Sequence, residues 1–283
     1  MHSLFDYITS FFEDPRGMLI FLLLALPGRV MALSAHEWAH AYIANKCGDP
    51  TARMMGRMTL NPVRHLDLLG TIMMLLLGFG WARPVPVNPR NFRNPRKDDI
   101  KVSLAGITMN LILFFAGFLA LCILLVIALH GLPEYADVRA ANANMYIAPY
   151  AGQRVLIMGD YYFTFTQMFQ SAPYIADMVI APAMGRIAGY LYQMLSYFVL
   201  VNLSLALFNL IPVPPLDGYH VLNDTILRKS LFAAQKTARI AMLILFAASM
   251  TGILGSGLSY VINGVLNGVG SGAAAIIRAL GLI

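Results

Sequence analysis

Two histidines four residues apart, with a glutamate beside the first, can hold a cation and move a proton. His36-Glu37-Trp38-Ala39-His40 is such an HExxH run. On a helix its two imidazoles share one face about one turn apart, close enough to clamp a single ion. Neutral imidazoles suit zinc, and Glu37 can take a proton from a water whose acidity the ion has raised. The hydroxide so formed attacks a carbonyl polarised by the same ion. The chemistry in view is metal-assisted hydrolysis. In a soluble protein the same pentapeptide more often marks an ordinary exposed helix, so its surroundings decide.

Those surroundings are apolar. Of the 283 residues 58% are hydrophobic and 12% charged, and mean hydropathy is +0.66, which places the chain in a bilayer. The motif lies in the second half of an apolar segment, about Gly17 to Ala44, long enough to cross a hydrocarbon core of roughly 30 Å. A charged side chain at mid-helix costs on the order of 2.5–3.5 kcal/mol on insertion scales, so Glu37 calls for a compensating role. The structural alternative is that His36 and Glu37 only hydrogen-bond a neighbouring helix.

Further spans are expected over Ile100 to Leu129, Arg186 to Ile211 and Ile240 to Ile262, with a Gly-rich tail from Asn263 able to add a short helix. Leu68 to Trp81 is too short to cross and suits a re-entrant element or a short strand. Ala82 to Lys101, with four prolines, reads as an irregular aqueous loop. His130 to about Gly185 reads as an outside connection with interfacial pieces around Tyr161 to Phe169. The expected fold class is thus an all-α polytopic membrane protein with about four to six transmembrane helices and a short re-entrant or β-edge element between the first two full spans. It forms a single domain, 1–283, with a core at about 32–222 and extra spans in 240–283.

A net charge of +6 would raise the question of nucleic acid in a soluble chain. Here 10 of the 20 Lys and Arg residues lie between Lys46 and Lys101 and 4 between Arg228 and Arg239, beside spans, as the positive-inside bias requires. No nucleic-acid partner is expected. With both clusters inside, the spans alternate evenly and the motif lies near the cytoplasmic face. Cys47 and Cys122 make no disulfide framework. Acidic Asp6, Glu13 and Asp14 before the first apolar stretch are in the wrong order for a cleaved signal peptide.

Two imidazoles and a water leave zinc one ligand short. Asp217, after the proline cluster that stops the Arg186 to Ile211 span, is the best donor, because kinked backbone there can turn a carboxylate inward. In isolation, Pro-Leu-Asp-Gly would more often be a hydrated turn.

HEWAH, NPVRHLDLLGT at Asn61 to Thr71, FGWARPVPVNPRNFRNP at Phe79 to Pro95, LAGITMN at Leu104 to Asn110 and FNLIPVPPLDGYHVL at Phe208 to Leu222 stand in order along the chain. Together they resemble the site-2 protease family of intramembrane metalloproteases, in its compact bacterial branch without a PDZ domain. The resemblance implies one zinc ion per chain on His36, His40 and Asp217, Glu37 as general base, and cleavage of a transmembrane protein substrate in or near a bacterial inner membrane. It also implies that Asn110 and Asn209 hold the substrate backbone or the oxyanion; the alternative is that they tie helices together. Ile107 and Leu68 replace prolines common in the family, and Tyr219-His220 follows the LDG; none is a predicted ligand. His65 and His220 read as structural imidazoles, although His65 could line the entrance, and Asp67 fixes its own loop. The extended Gly70 to Pro95 region could offer a substrate an edge for strand addition.

Two other classes stay open. A metal-ion transporter would also place His and Asp in a membrane, and a catalytically silent relative would act as a scaffold. Oligomerisation is possible and undetermined by sequence. Histidine-box oxygenases use more clustered histidines than the six present.

Overall fold

The computed structural model describes residues 9, 12–76, 80–131, 145–150, 153–158, 161–164, 172–227 and 235–280. Helix α1 spans Pro15–Cys47. Pro15 stands at its first turn, where a missing N–H costs nothing, and Asp14 caps it by accepting from Gly17 N at 2.9 Å. Gly48, at φ 110°, ends it in the left-handed conformation that glycine adopts without strain. Its buried face is mostly small residues, including Ala25, Gly28, Ala32, Ser34, Ala35 and Ala39, which let neighbouring backbone approach closely. Leu19, Leu23 and Met31 stay exposed on the other side, as a lipid-facing surface requires.

The expected short element is helix α2, Leu68–Leu76. Nine residues rise about 14 Å, far less than a bilayer core. The chain before and after it meets in an antiparallel bridge, Leu66 to Ala82, and a Cβ on Gly70 would lie 2.2 Å from Trp81 O, so only glycine lets the returning backbone pass. Arg29 of α1 donates to Met74 O in the last turn of α2, where helical carbonyls lack partners.

Helix α3 covers Pro95–Gly131, starting five residues before the expected span because Pro95 suits a first turn and Asp98 Oδ2 accepts from Asn94 N. Between 130 and 185 the described residues include an antiparallel meander, β1 Met145–Tyr150, β2 Gln153–Met158 and β3 Tyr161–Thr164, in the order β1-β2-β3. The interfacial pieces expected up to Phe169 fall partly on β3 and otherwise outside the described residues, as do Arg228 and Lys229 and most of the stretch before Phe12. Helix α4 is Arg186–Asn209, and the short α5 is Asp217–Leu222.

The expected span from Ile240 to Ile262 is corrected. Helix α6, Gln235–Met250, ends at Thr251-Gly252, where Gly252 takes φ 77°, and α7 then runs from Ile253 to Ala279. A left-handed glycine breaks the helix in mid-segment. Four described helices are long and apolar enough to cross a membrane: Pro15–Cys47, Pro95–Ala128, Arg186–Asn209 and Ile253–Ile277. The all-α, membrane-embedded architecture holds, with the small meander added in a connection.

The residues form two compact units, one of Met1–Phe114 with Val201–Ser259, the other of Phe115–Leu200 with Tyr260–Ile283. In the first, the extended run after α2 lays Val85 against Ala41 and Ala52, and Phe92 against Ala44, Cys47 and Val102. In the second, Gly117 of α3 packs on Phe198 and Val199 of α4. The candidate site lies wholly in the first unit.

Candidate metal centre and its supporting residues

His36 and His40 lie on the buried face of α1, one turn apart, with their Nε2 atoms 3.0 Å from each other. Asp217, first residue of α5, brings Oδ2 to 3.2 Å from His36 Nε2 and 3.4 Å from His40 Nε2. The chain between α4 and α5 turns through Ile211–Pro215, and Gly218 seals it: a Cβ there would lie 2.3 Å from Leu210 O. The Asp-Gly pair thus combines a donor with the one residue that fits its seat.

The other side of each imidazole is held by α3. His40 Nδ1 donates to Val102 O at 2.7 Å, and His36 Nδ1 lies 2.6 Å from Asn110 Oδ1. A carbonyl only accepts, so the His40 hydrogen is on Nδ1. Asn110 uses its amide nitrogen on Ala32 O and Asn202 Oδ1, which leaves its oxygen to accept and sets His36 in the same tautomer. Both Nε2 atoms are then lone pairs, facing each other and a carboxylate oxygen that is buried without a hydrogen-bond donor.

Three acceptors converging with no hydrogen between them repel unless a cation joins them, and all three ligand atoms lie within 4.8 Å of one another. Two imidazoles and one carboxylate are the donor set of an open, tetrahedral zinc site, each ring oriented by an outer hydrogen bond. The residues fit zinc.

Gly106 lies between Val102 and Asn110, so the three form one stripe along α3 at four-residue spacing. A Cβ on Gly106 would stand 2.5 Å from both His36 Cε1 and His40 Nε2, so the imidazoles lie directly on the helix backbone. Glu37 is not one of these three donors; its Oε2 accepts from Val85 N at 2.7 Å.

The softer assignments divide. Asn110 is fully buried and engaged behind His36, which places it with the ligand shell and not on an open substrate face. Asn209, half-buried at the end of α4, donates to Leu205 O of its own helix. His65 is fully buried with Nε2 bonded to Thr59 O, a structural imidazole. His220 pairs with Asp99 at 3.0 Å, and that bond raises its pKa against the effect of burial. Asp67 caps α2 by accepting from Gly70 N. Asn202, Gly106 and the Val102 carbonyl were not indicated by sequence; the four-residue spacing of Gly106 and Asn110 beside an HExxH helix was the available signal.

Comparison with known proteins gives the family. Residues 23–252 match the model of Peptidase family M50. The chain is 34% identical over 263 residues to "Putative zinc metalloprotease YwhC" of Bacillus subtilis (strain 168), covering 92% of each chain. Over 96 residues it is 33% identical to "Putative zinc metalloprotease Rip2" of Mycolicibacterium smegmatis (strain ATCC 700084 / mc(2)155), covering 32% of this chain and 37% of that protein. No solved structure matches it. With the family model spanning most of its length, a zinc-type donor set of His36, His40 and Asp217, and four helices able to cross a membrane, the chain belongs to Peptidase family M50, the site-2 protease family, and is an integral-membrane zinc metalloprotease.

Proposed function

We propose that this protease cleaves membrane-spanning proteins within or beside the bilayer, from a site near the cytoplasmic side of a bacterial inner membrane. The observation that carries the proposal is the placement of His36, Glu37 and His40 in a 33-residue helix apolar enough to cross a membrane, with Asp217 reaching both imidazoles. The basic residues between Lys46 and Lys101 support the cytoplasmic side. His36, His40 and Asp217 would hold zinc, which would supply a Lewis acid and an acidified water.

Glu37 takes the proton of the attacking water and passes it to the leaving amine. Val102 O and Asn110 keep the imidazoles turned inward throughout. Asn209, at the end of the helix that leads to Asp217, is the group we place on the substrate backbone or oxyanion. A helical substrate has its carbonyls bonded internally, so it must unwind before attack.

Removal of zinc by 1,10-phenanthroline should abolish cleavage of a single-span protein co-reconstituted in liposomes, and added zinc should restore it. Cleavage that persists after complete zinc removal would contradict the proposal. Zinc uptake into sealed vesicles without cleavage would instead favour a transporter.

A further inference from the structure

Glu37 has a partner that sequence did not suggest. Val85, whose N–H it accepts, lies between Pro84 and Pro86, and proline has no N–H. That donor is therefore the single N–H of the Pro84–Pro86 run. The carbonyl of the same peptide unit, Pro84 O, accepts from Arg57 Nη2 at 3.3 Å, and the adjacent Arg83 O accepts from the same atom at 2.7 Å. One peptide unit thus joins a guanidinium to the carboxylate of Glu37.

Arg57 is buried at 7% exposure, with its Nε lacking a hydrogen-bond partner. Burying a guanidinium is costly, and two carbonyl bonds offset that only in part, so a loop anchor alone is a poor account of it. Burial and the like charge of Arg83 pull its pKa down, while the Glu37 carboxylate acts in the opposite direction. At the far end of the same run Asp49, fully buried, accepts from Asn88 N and Asn91 Nδ2. The Val85 side chain, packed on Ala41 and Ala52, fixes the stretch between these two anchors against α1.

We propose that Arg57 is a positioning residue for the hydrolysis, holding the Glu37 carboxylate through the Pro84–Val85 peptide so that Oε2 is engaged and Oε1 takes the proton. A cation on the carbonyl side of an amide polarises it and strengthens its N–H as a donor. Arg57 acts on the base in this way without touching it. The inference rests on Glu37 being that base, as proposed above.

The test uses the full-length, zinc-loaded protein with a single-span substrate. Arg57→Gln should keep one zinc per chain and a KM within about 3-fold of wild type, while kcat falls by roughly 30- to 100-fold. Arg57→Lys, which keeps the charge and one donor, should recover to within about 10-fold of wild type. A merely structural role would lower folded protein and zinc content but leave kcat per bound zinc unchanged.

In a Glu37→Asp background the shorter carboxylate no longer reaches Val85 N, so adding Arg57→Gln should cost less than about 3-fold more. Wild-type kcat in Arg57→Gln, or an equal cost of that change in both backgrounds, would overturn the inference. Full activity in Glu37→Gln would instead overturn the assignment of the base. If Arg57→Gln does not fold, Arg57→Lys in the two backgrounds makes the same comparison, with equal losses again overturning the inference.

Discussion

Glu37→Gln is expected to lower kcat by about 10³-fold or more, at the upper end of what loss of a general base costs, with zinc still bound at one per chain. The substitution is close to isosteric, and a glutamine oxygen can still accept from Val85 N, the bond that orients Glu37. The metal-facing groups are other side chains, His36, His40 and Asp217, so the donor set is untouched. What the variant loses is a group that can take a proton. Cleavage by a purified Glu37→Gln protein within 10-fold of wild type, measured beside its zinc content, would remove Glu37 from the mechanism.

Gly106→Ala is expected to weaken zinc binding by about 10- to 100-fold and cleavage with it. The added methyl would lie 2.5 Å from His36 Cε1 and His40 Nε2 and 2.7 Å from His36 Nδ1. Neither ring can move aside, because both are tied to the same helix through Val102 O and Asn110 Oδ1. Alanine is the better helix former by roughly 1 kcal/mol, so helix content should not fall, and circular dichroism checks that. Gly117→Ala is the control. Its Cβ would meet side chains only, Val199 Cγ2 at 2.9 Å and Phe198 Cδ1 at 3.0 Å, and zinc affinity should match wild type. Wild-type zinc affinity in Gly106→Ala would mean that the rings are not fixed against α3 as described.

How much of this was legible in the sequence depended on which part of a residue does the work. Side-chain chemistry at fixed spacing was readable: the imidazoles of His36 and His40 follow from helical periodicity, and Asp217 follows from a missing donor beside a proline cluster. The end of α4 was readable too, because the prolines after Asn209 stop a helix by known sterics.

Backbone contributions were not. Val102 acts through its carbonyl, which every residue type supplies, and Val85 through its N–H, which every type but proline supplies, so side-chain type does not mark them. Asn110 was noticed for its polarity, but which of its atoms faces His36 depends on Asn202 on a distant helix. The break at Gly252 was missed because an apolar run keeps the hydropathy of a single span whether or not one of its glycines takes a left-handed turn. The meander β1–β3 was missed because its pairing is set by partners along the chain and not by local composition.

Zinc-edge X-ray absorption of the purified, catalytically active protein tests the metal centre most directly. The structure predicts only nitrogen and oxygen neighbours at about 2.0–2.2 Å, with outer-shell scattering from two imidazoles and a spectrum that changes in Asp217→Ala. A sulfur shell near 2.3 Å, which would point to Cys47 or Cys122, or a spectrum that Asp217→Ala leaves unaltered, would contradict it.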